Sequence, residues 1–166
     1  MKTKKLTRLA LLTALALIIF IIELQFPDIV PIPGVKLGLA NIITVYAVYK
    51  YTAKDVFLIV TTRVVLGAIF GGNISALPYS LTGALTCLAG MLLIKRAIPV
   101  NFIWLSSIFG AILHNTGQIA AAVLMTGTLT VLSFYPFLIA AGCIAGAFTG
   151  ICAQLLIKRN ITDDKT

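Results

Sequence analysis

Acidic residues are scarce in this 166-residue chain: five Asp and Glu stand against 13 Lys and Arg, and charged residues make up only 11% of it. Soluble domains carry about 25% charge and are less than half apolar, so a chain that is 60% apolar falls outside that class. The low hydrophobicity that disorder requires is missing too. One histidine and three cysteines (Cys87, Cys143 and Cys152), with no Cys-x-x-Cys pair or Cys/His cluster, give no metal or redox motif. No Gly-rich phosphate loop, zinc signature or Ser/His/Asp set is present. The adjacent acidic pair, Asp163-Asp164, is at the C-terminal end, so the acidic clusters that would hold magnesium against a diphosphate are lacking. These absences predict no catalytic residue, metal or cofactor in this chain, and they argue against an enzyme acting alone.

What the chain has instead is long apolar runs, too long for the alternation of a β-barrel. They predict an all-α integral membrane protein, a bundle of six transmembrane helices. The runs are Leu6 to Leu24, about Leu37 to Tyr49, Asp55 to Phe70, Leu77 to Ile94, Phe102 to Met125, and Pro136 to Ile157. Pro27, Pro31, Pro33 and Gly34 make the first connection a loop. The first run exceeds a signal-peptide core of about 7–15 residues and no small-residue cleavage site follows it, so it reads as an uncleaved helix. The net charge of +8 would suggest nucleic acid in a soluble protein, but here it marks topology. With both termini cytoplasmic, 11 of the 13 basic residues fall inside, all except Lys36 and Arg63. The expected organisation is one membrane domain, residues 1–159, and a polar cytoplasmic tail, residues 160–166, with no nucleic-acid partner.

Polar groups inside hydrocarbon are costly and mark function by default. Arg63 lies about 12 Å along its helix from Asp55, near mid-membrane; it serves either a ligand or a bridge between helices. His114, Asn115 and Gln118 occupy one stretch of the fifth run, with His114 and Gln118 on one face. They act either on a ligand or as helix–helix glue. Lys36 sits at the outer surface, where lysines also snorkel, and Asn41 follows about 7.5 Å further in. Tyr79 and Ser80 enter from the same side, where Tyr79 also suits an interfacial belt. If these groups converge, they line an outward-opening cavity suited to an anionic or hydrogen-bonding ligand. The predicted substrate-binding set is Lys36, Asn41, Arg63, Tyr79, His114, Asn115 and Gln118.

Small residues form a second pattern. Gly142, Gly146 and Gly150 recur every four positions, a spacing that lets helices pack closely. Ala10 and Ala14 repeat it in the first helix, for internal packing or for docking another membrane protein.

The stretches Pro33-Gly34-Val35-Lys36-Leu37-Gly38-Leu39-Ala40-Asn41-Ile42 and His114-Asn115-Thr116-Gly117-Gln118, with Arg63-Val-Val-Leu-Gly67, resemble the bacterial Gx transporter family, also labelled heptaprenyl diphosphate synthase component I. The overall plan is similar to the substrate-binding S-components of energy-coupling-factor (ECF) transporters. That resemblance implies a bacterial plasma-membrane subunit that captures a small molecule of the vitamin, flavin or isoprenoid/quinone-precursor class from outside. It also implies docking on a T-component and ATPases, with Ala10-x-x-x-Ala14 resembling the docking motif. The family's other label implies instead a non-catalytic membrane subunit of a polyprenyl diphosphate synthase or of a flavin- or quinone-linked electron-transfer complex, with a prenyl synthase or redox protein as partner.

Overall fold

A computed structural model describes residues 3–26 and 38–163, with side chains through residue 159. Six helices follow one another: α1 (Thr3–Glu23), α2 (Asn41–Lys50), α3 (Ala53–Phe70), α4 (Leu77–Ile94), α5 (Ile103–Thr126) and α6 (Tyr135–Asp163). The described residues contain no strand. Their boundaries follow local chemistry. Asp55 accepts from both the backbone and the hydroxyl of Thr52 at the start of α3. Gly72 and Gly127, both left-handed, follow the ends of α3 and α5, and Pro78 occupies the first turn of α4.

Four helical stretches are long and apolar enough to cross a membrane by length and composition: Thr3–Glu23, Ile74–Ile94, Val100–Thr126 and Leu129–Arg159. The six expected helices are present, but the second differs from expectation. It begins at Asn41 rather than near Leu37, because Gly38 adopts φ 69° and its carbonyl accepts from the Asn41 N–H to close a turn. Ten residues give α2 about 15 Å of rise, half of a ~30 Å hydrocarbon core. At the other end of the chain α6 runs on to Asp163, so residues 160–163 of the expected tail are helical.

Two contacts fix which helix ends meet. Lys5 Nζ lies 2.8 Å from Asp55 Oδ2, joining the starts of α1 and α3. Lys95 Nζ donates to the Val48 carbonyl at 2.8 Å, joining the ends of α4 and α2. This end gathers Lys4, Arg8, Lys50, Lys54 and Arg96 as well, and we call it the basic end. The buried apolar core fills the half of the bundle next to it, with Leu9, Val48, Val56, Ile59, Met91 and Ile157 nearly inaccessible. Bulky apolar side chains such as Leu11, Ile18, Ile144 and Leu155 point outward along the helices, as a lipid-facing surface requires.

The α4–α5–α6 seam is the tightest part. A Cβ on Gly150 would lie 2.5 Å from the Trp104 Cα, and one on Gly146 would lie 2.9 Å from the Ile108 Cα. Backbone approach this close is open only to glycine. Side chains then tie the helices: Ser107 and Thr149 share a bond at 3.2 Å, and Thr86 donates to the Leu113 carbonyl at 3.0 Å.

Candidate functional site

The half of the bundle away from the basic end is hollow. A cavity of about 770 Å³ opens there, walled by α1 to α6 and by the 3₁₀ turns Ile74–Ala76 and Leu129–Phe134. Its size is that of a pocket for a drug-sized molecule. Six of the expected binding residues line it: Asn41, Arg63, Tyr79, His114, Asn115 and Gln118. Ser80 does too. Lys36 lies outside the described residues.

Arg63 is the dominant feature. It is 9% exposed, and its Nε has no hydrogen-bond partner among the described residues. No described carboxylate forms an ion pair with it; Glu23 on α1 and Cys87 on α4 are its electrostatic neighbours. A buried Nε–H left without a partner costs about 1–3 kcal/mol, because it gives up hydration without regaining an acceptor. Its position follows from α3: Val56, Ile59 and Val60 on the same helix are packed into the core, which turns residue 63 inward two turns further along.

His114 and Gln118 are set against α4 by Gly83. A Cβ there would lie 2.6 Å from Gln118 Cγ, 2.8 Å from the His114 carbonyl and 3.2 Å from His114 Nε2. The missing side chain is therefore what brings these two groups to the cavity wall. Asn115 is buried and its Nδ2 donates to the Leu138 carbonyl on α6. Its amide nitrogen is spent on holding α5 to α6 while the residue still faces the cavity. Tyr79 is half-buried at the entrance. On α6, Gly142 stands against Asn115 Nδ2, and Gly146 and Gly150 against the α5 backbone. Ala10 and Ala14 are both exposed on α1, away from the cavity.

Several lining groups lie outside the sequence-based set. Glu23, 7% exposed, accepts from the backbone N–H groups of Gly38 and Leu39. The N-cap of α2 is Ala40, which has no side-chain acceptor; the Glu23 carboxylate from α1 supplies negative charge at that helix start instead. Thr44 lines the cavity with a buried hydroxyl that has no described partner. Ser107 and Thr149 form part of the floor. A short-range signal existed for Glu23, an acid at the end of an apolar run. Isolated Ser and Thr give none, since their hydroxyls commonly bond back to their own helix.

Chemically, the arrangement offers one fixed cation, amide and imidazole groups, hydroxyls and a largely apolar wall. Among the described residues no three His, Cys, Asp or Glu side chains group as metal ligands. A family model described as heptaprenyl diphosphate synthase component I matches residues 12–156. No curated protein and no solved structure matches the chain.

Proposed function

The chain belongs to the heptaprenyl diphosphate synthase component I family, and from that premise we propose that it is a membrane-embedded binding subunit that captures a small anionic or polar molecule. The observation that carries the reading is the buried guanidinium of Arg63, without a described partner, in the wall of the cavity. A largely buried cation with an unpartnered donor is accounted for when a ligand completes it. Asn41, His114 and Gln118 add hydrogen bonds around it, Tyr79 flanks the entrance, and Asn115 braces the wall. Lys36, outside the described residues, belongs to the same proposal as a second cation.

The positive-inside rule places the basic end in the bacterial cytoplasm with both termini, so the cavity opens outward. This arrangement suits an S-component-like role in uptake. The exposed Ala10 and Ala14 face would then meet an ECF-type T-component, with its ATPases behind it. Small residues on an exposed helix face allow the close backbone approach such docking needs.

The family description fits a second reading, a non-catalytic membrane subunit of a heptaprenyl diphosphate synthase complex, and a subunit of a flavin- or quinone-linked redox complex is the other form of that alternative. Affinity purification from gently solubilised membranes separates the two. Recovery of energising ATPases and a T-component is the expected result; a stoichiometric prenyl synthase or redox partner overturns it. Binding of a co-purified small molecule, identified by mass spectrometry, falls at least about tenfold in Arg63→Ala, the loss of one charge-assisted bond. Unchanged affinity in both Arg63→Ala and His114→Ala removes the site.

A further inference from the structure

Charge and texture vary with depth in the cavity, and together they restrict the ligand beyond "anionic or polar". The inference rests on the binding reading above. Among the described lining residues Arg63 is the one permanent cation, and Glu23 is the one carboxylate. Glu23 is already engaged by the Gly38 and Leu39 N–H groups and by the positive end of α2. That leaves Arg63 as the single positive charge among the described lining residues; with Lys36 of the proposed site counted, two cations stand against the one Glu23 carboxylate, a net of one positive charge. A diphosphate carries two to three negative charges and is held by several cations or by metal on acidic clusters. The described cavity residues provide neither, and a polyanion here would also face the Glu23 carboxylate.

Below Arg63 the lining changes. Arg63 is seven residues from the end of α3, about 10 Å deep, whereas Met91 is fourteen residues into α4, about 21 Å deep. Between those levels the wall is made by Cys87, Met91, Ala111, Ala145 and Gly146 together with His114 and Asn115, which are twelve and eleven residues from the end of α5, about 18 and 17 Å deep. The floor hydroxyls of Ser107 and Thr149 bond each other, and Thr149 also donates to the Ala145 carbonyl at 2.9 Å. Beneath His114 and Asn115 the floor is small and its hydroxyls are satisfied, with a mostly apolar wall around it.

We propose that the cavity takes a singly charged amphiphile, its anionic group on Arg63 and its apolar body in the floor beneath, and that it does not take a prenyl diphosphate. Both a water-borne organic acid and an anionic lipid have this chemistry.

Cys87 lines the cavity and is a built-in reporter. In a full-length Cys143→Ser/Cys152→Ser chain in phosphatidylcholine nanodiscs, the rate of Cys87 alkylation by N-ethylmaleimide is measured with octanoate, octanol or geranyl diphosphate. Octanoate is expected to slow alkylation about tenfold more than octanol at equal concentration, a single charge-assisted interaction. Geranyl diphosphate protects less than octanoate. Arg63→Gln erases the difference between octanoate and octanol; should that variant not fold, the ranking in the Arg63 chain decides alone. Protection in nanodiscs containing phosphatidylglycerol, with no solute added, identifies the amphiphile as a lipid. Stronger protection by geranyl diphosphate, equal protection by octanol, or no protection by any probe overturns the proposal. Octanoate protection in a chain that recruits no ATPase keeps this inference and sinks the uptake role.

Discussion

Arg63 poses the sharpest energetic question at the scale of single residues. The guanidinium lies in a protein-lined space where no described carboxylate forms an ion pair with it, Glu23 acting only at longer range, and its Nε has no partner. Replacing Arg63 with Met keeps most of the methylene stem's volume and removes the desolvated charge. Arg63→Met is therefore expected to stabilise the ligand-free protein, by about 1–4 kcal/mol on the scale seen when buried ionic groups become apolar. The same change abolishes stabilisation by anionic ligand. Unfolding curves in mixed detergent, with and without octanoate, check both halves; a destabilised ligand-free variant contradicts the picture of an unpaired charge. Such a residue is legible in sequence because a lone Arg within an apolar run has so few explanations. His114 and Gln118 were legible for the same reason, and helical spacing put them on one face. Thr44, Ser107 and Thr149 were not, because in a sequence a membrane-helix hydroxyl reads the same whether it bonds the carbonyl one turn back, as Thr149 does, or faces a cavity.

Among the elements, α2 is the one whose form depends most on a distant residue. A ten-residue helix has little intrinsic stability, and its first turn has no side-chain cap of its own. Glu23, fifteen residues before Gly38, supplies the acceptor from α1. Glu23→Ala strips two partly buried N–H groups of their partner and is expected to cost about 1–3 kcal/mol. The loss should appear in hydrogen exchange first at residues 38–45 and leave α5 and α6 protected. Uniform loss of protection across the bundle contradicts a local role. The apolar run alone placed the start of this helix near Leu37, since hydropathy does not register a left-handed Gly38 or a carboxylate arriving from another helix.

The α5–α6 seam gives the opposite case, in which spacing carried the information. Gly142, Gly146 and Gly150 form a stripe that only close helix packing makes useful. Gly150→Ala drives a methyl group into the Trp104 backbone, which has no flexible side chain to move. It is expected to destabilise by about 1–3 kcal/mol or more, as overpacking does. Ile144→Ala, on the same helix but 75% exposed, is the control that leaves stability nearly unchanged. Detergent-resistance midpoints of the two variants provide the comparison, and equal effects mean the stripe is not what holds the seam.

Across the whole molecule, the core and the cavity divide the bundle between them. The buried apolar cluster lies toward the basic end, where Lys5–Asp55 and Lys95–Val48 fasten four helix termini, and the hollow lies toward the other. A rigid half supporting an open half is how a binding site is kept from collapsing when empty. Basic residues concentrate at the rigid half: of the ten described Lys and Arg, all except Arg63 belong to it. On the proposed reading such a bias puts the basic end on the cytoplasmic side, and the hollow half then faces out. Cysteine scanning in a chain whose three native cysteines are Ser decides the point in intact bacteria. Ser75→Cys, exposed beside the cavity, is expected to react with a membrane-impermeant maleimide, whereas Ala53→Cys at the basic end reacts only after lysis. The reverse pattern turns the cavity toward the cytoplasm. Arg63 would then await a ligand made inside the cell, and capture from outside would be ruled out.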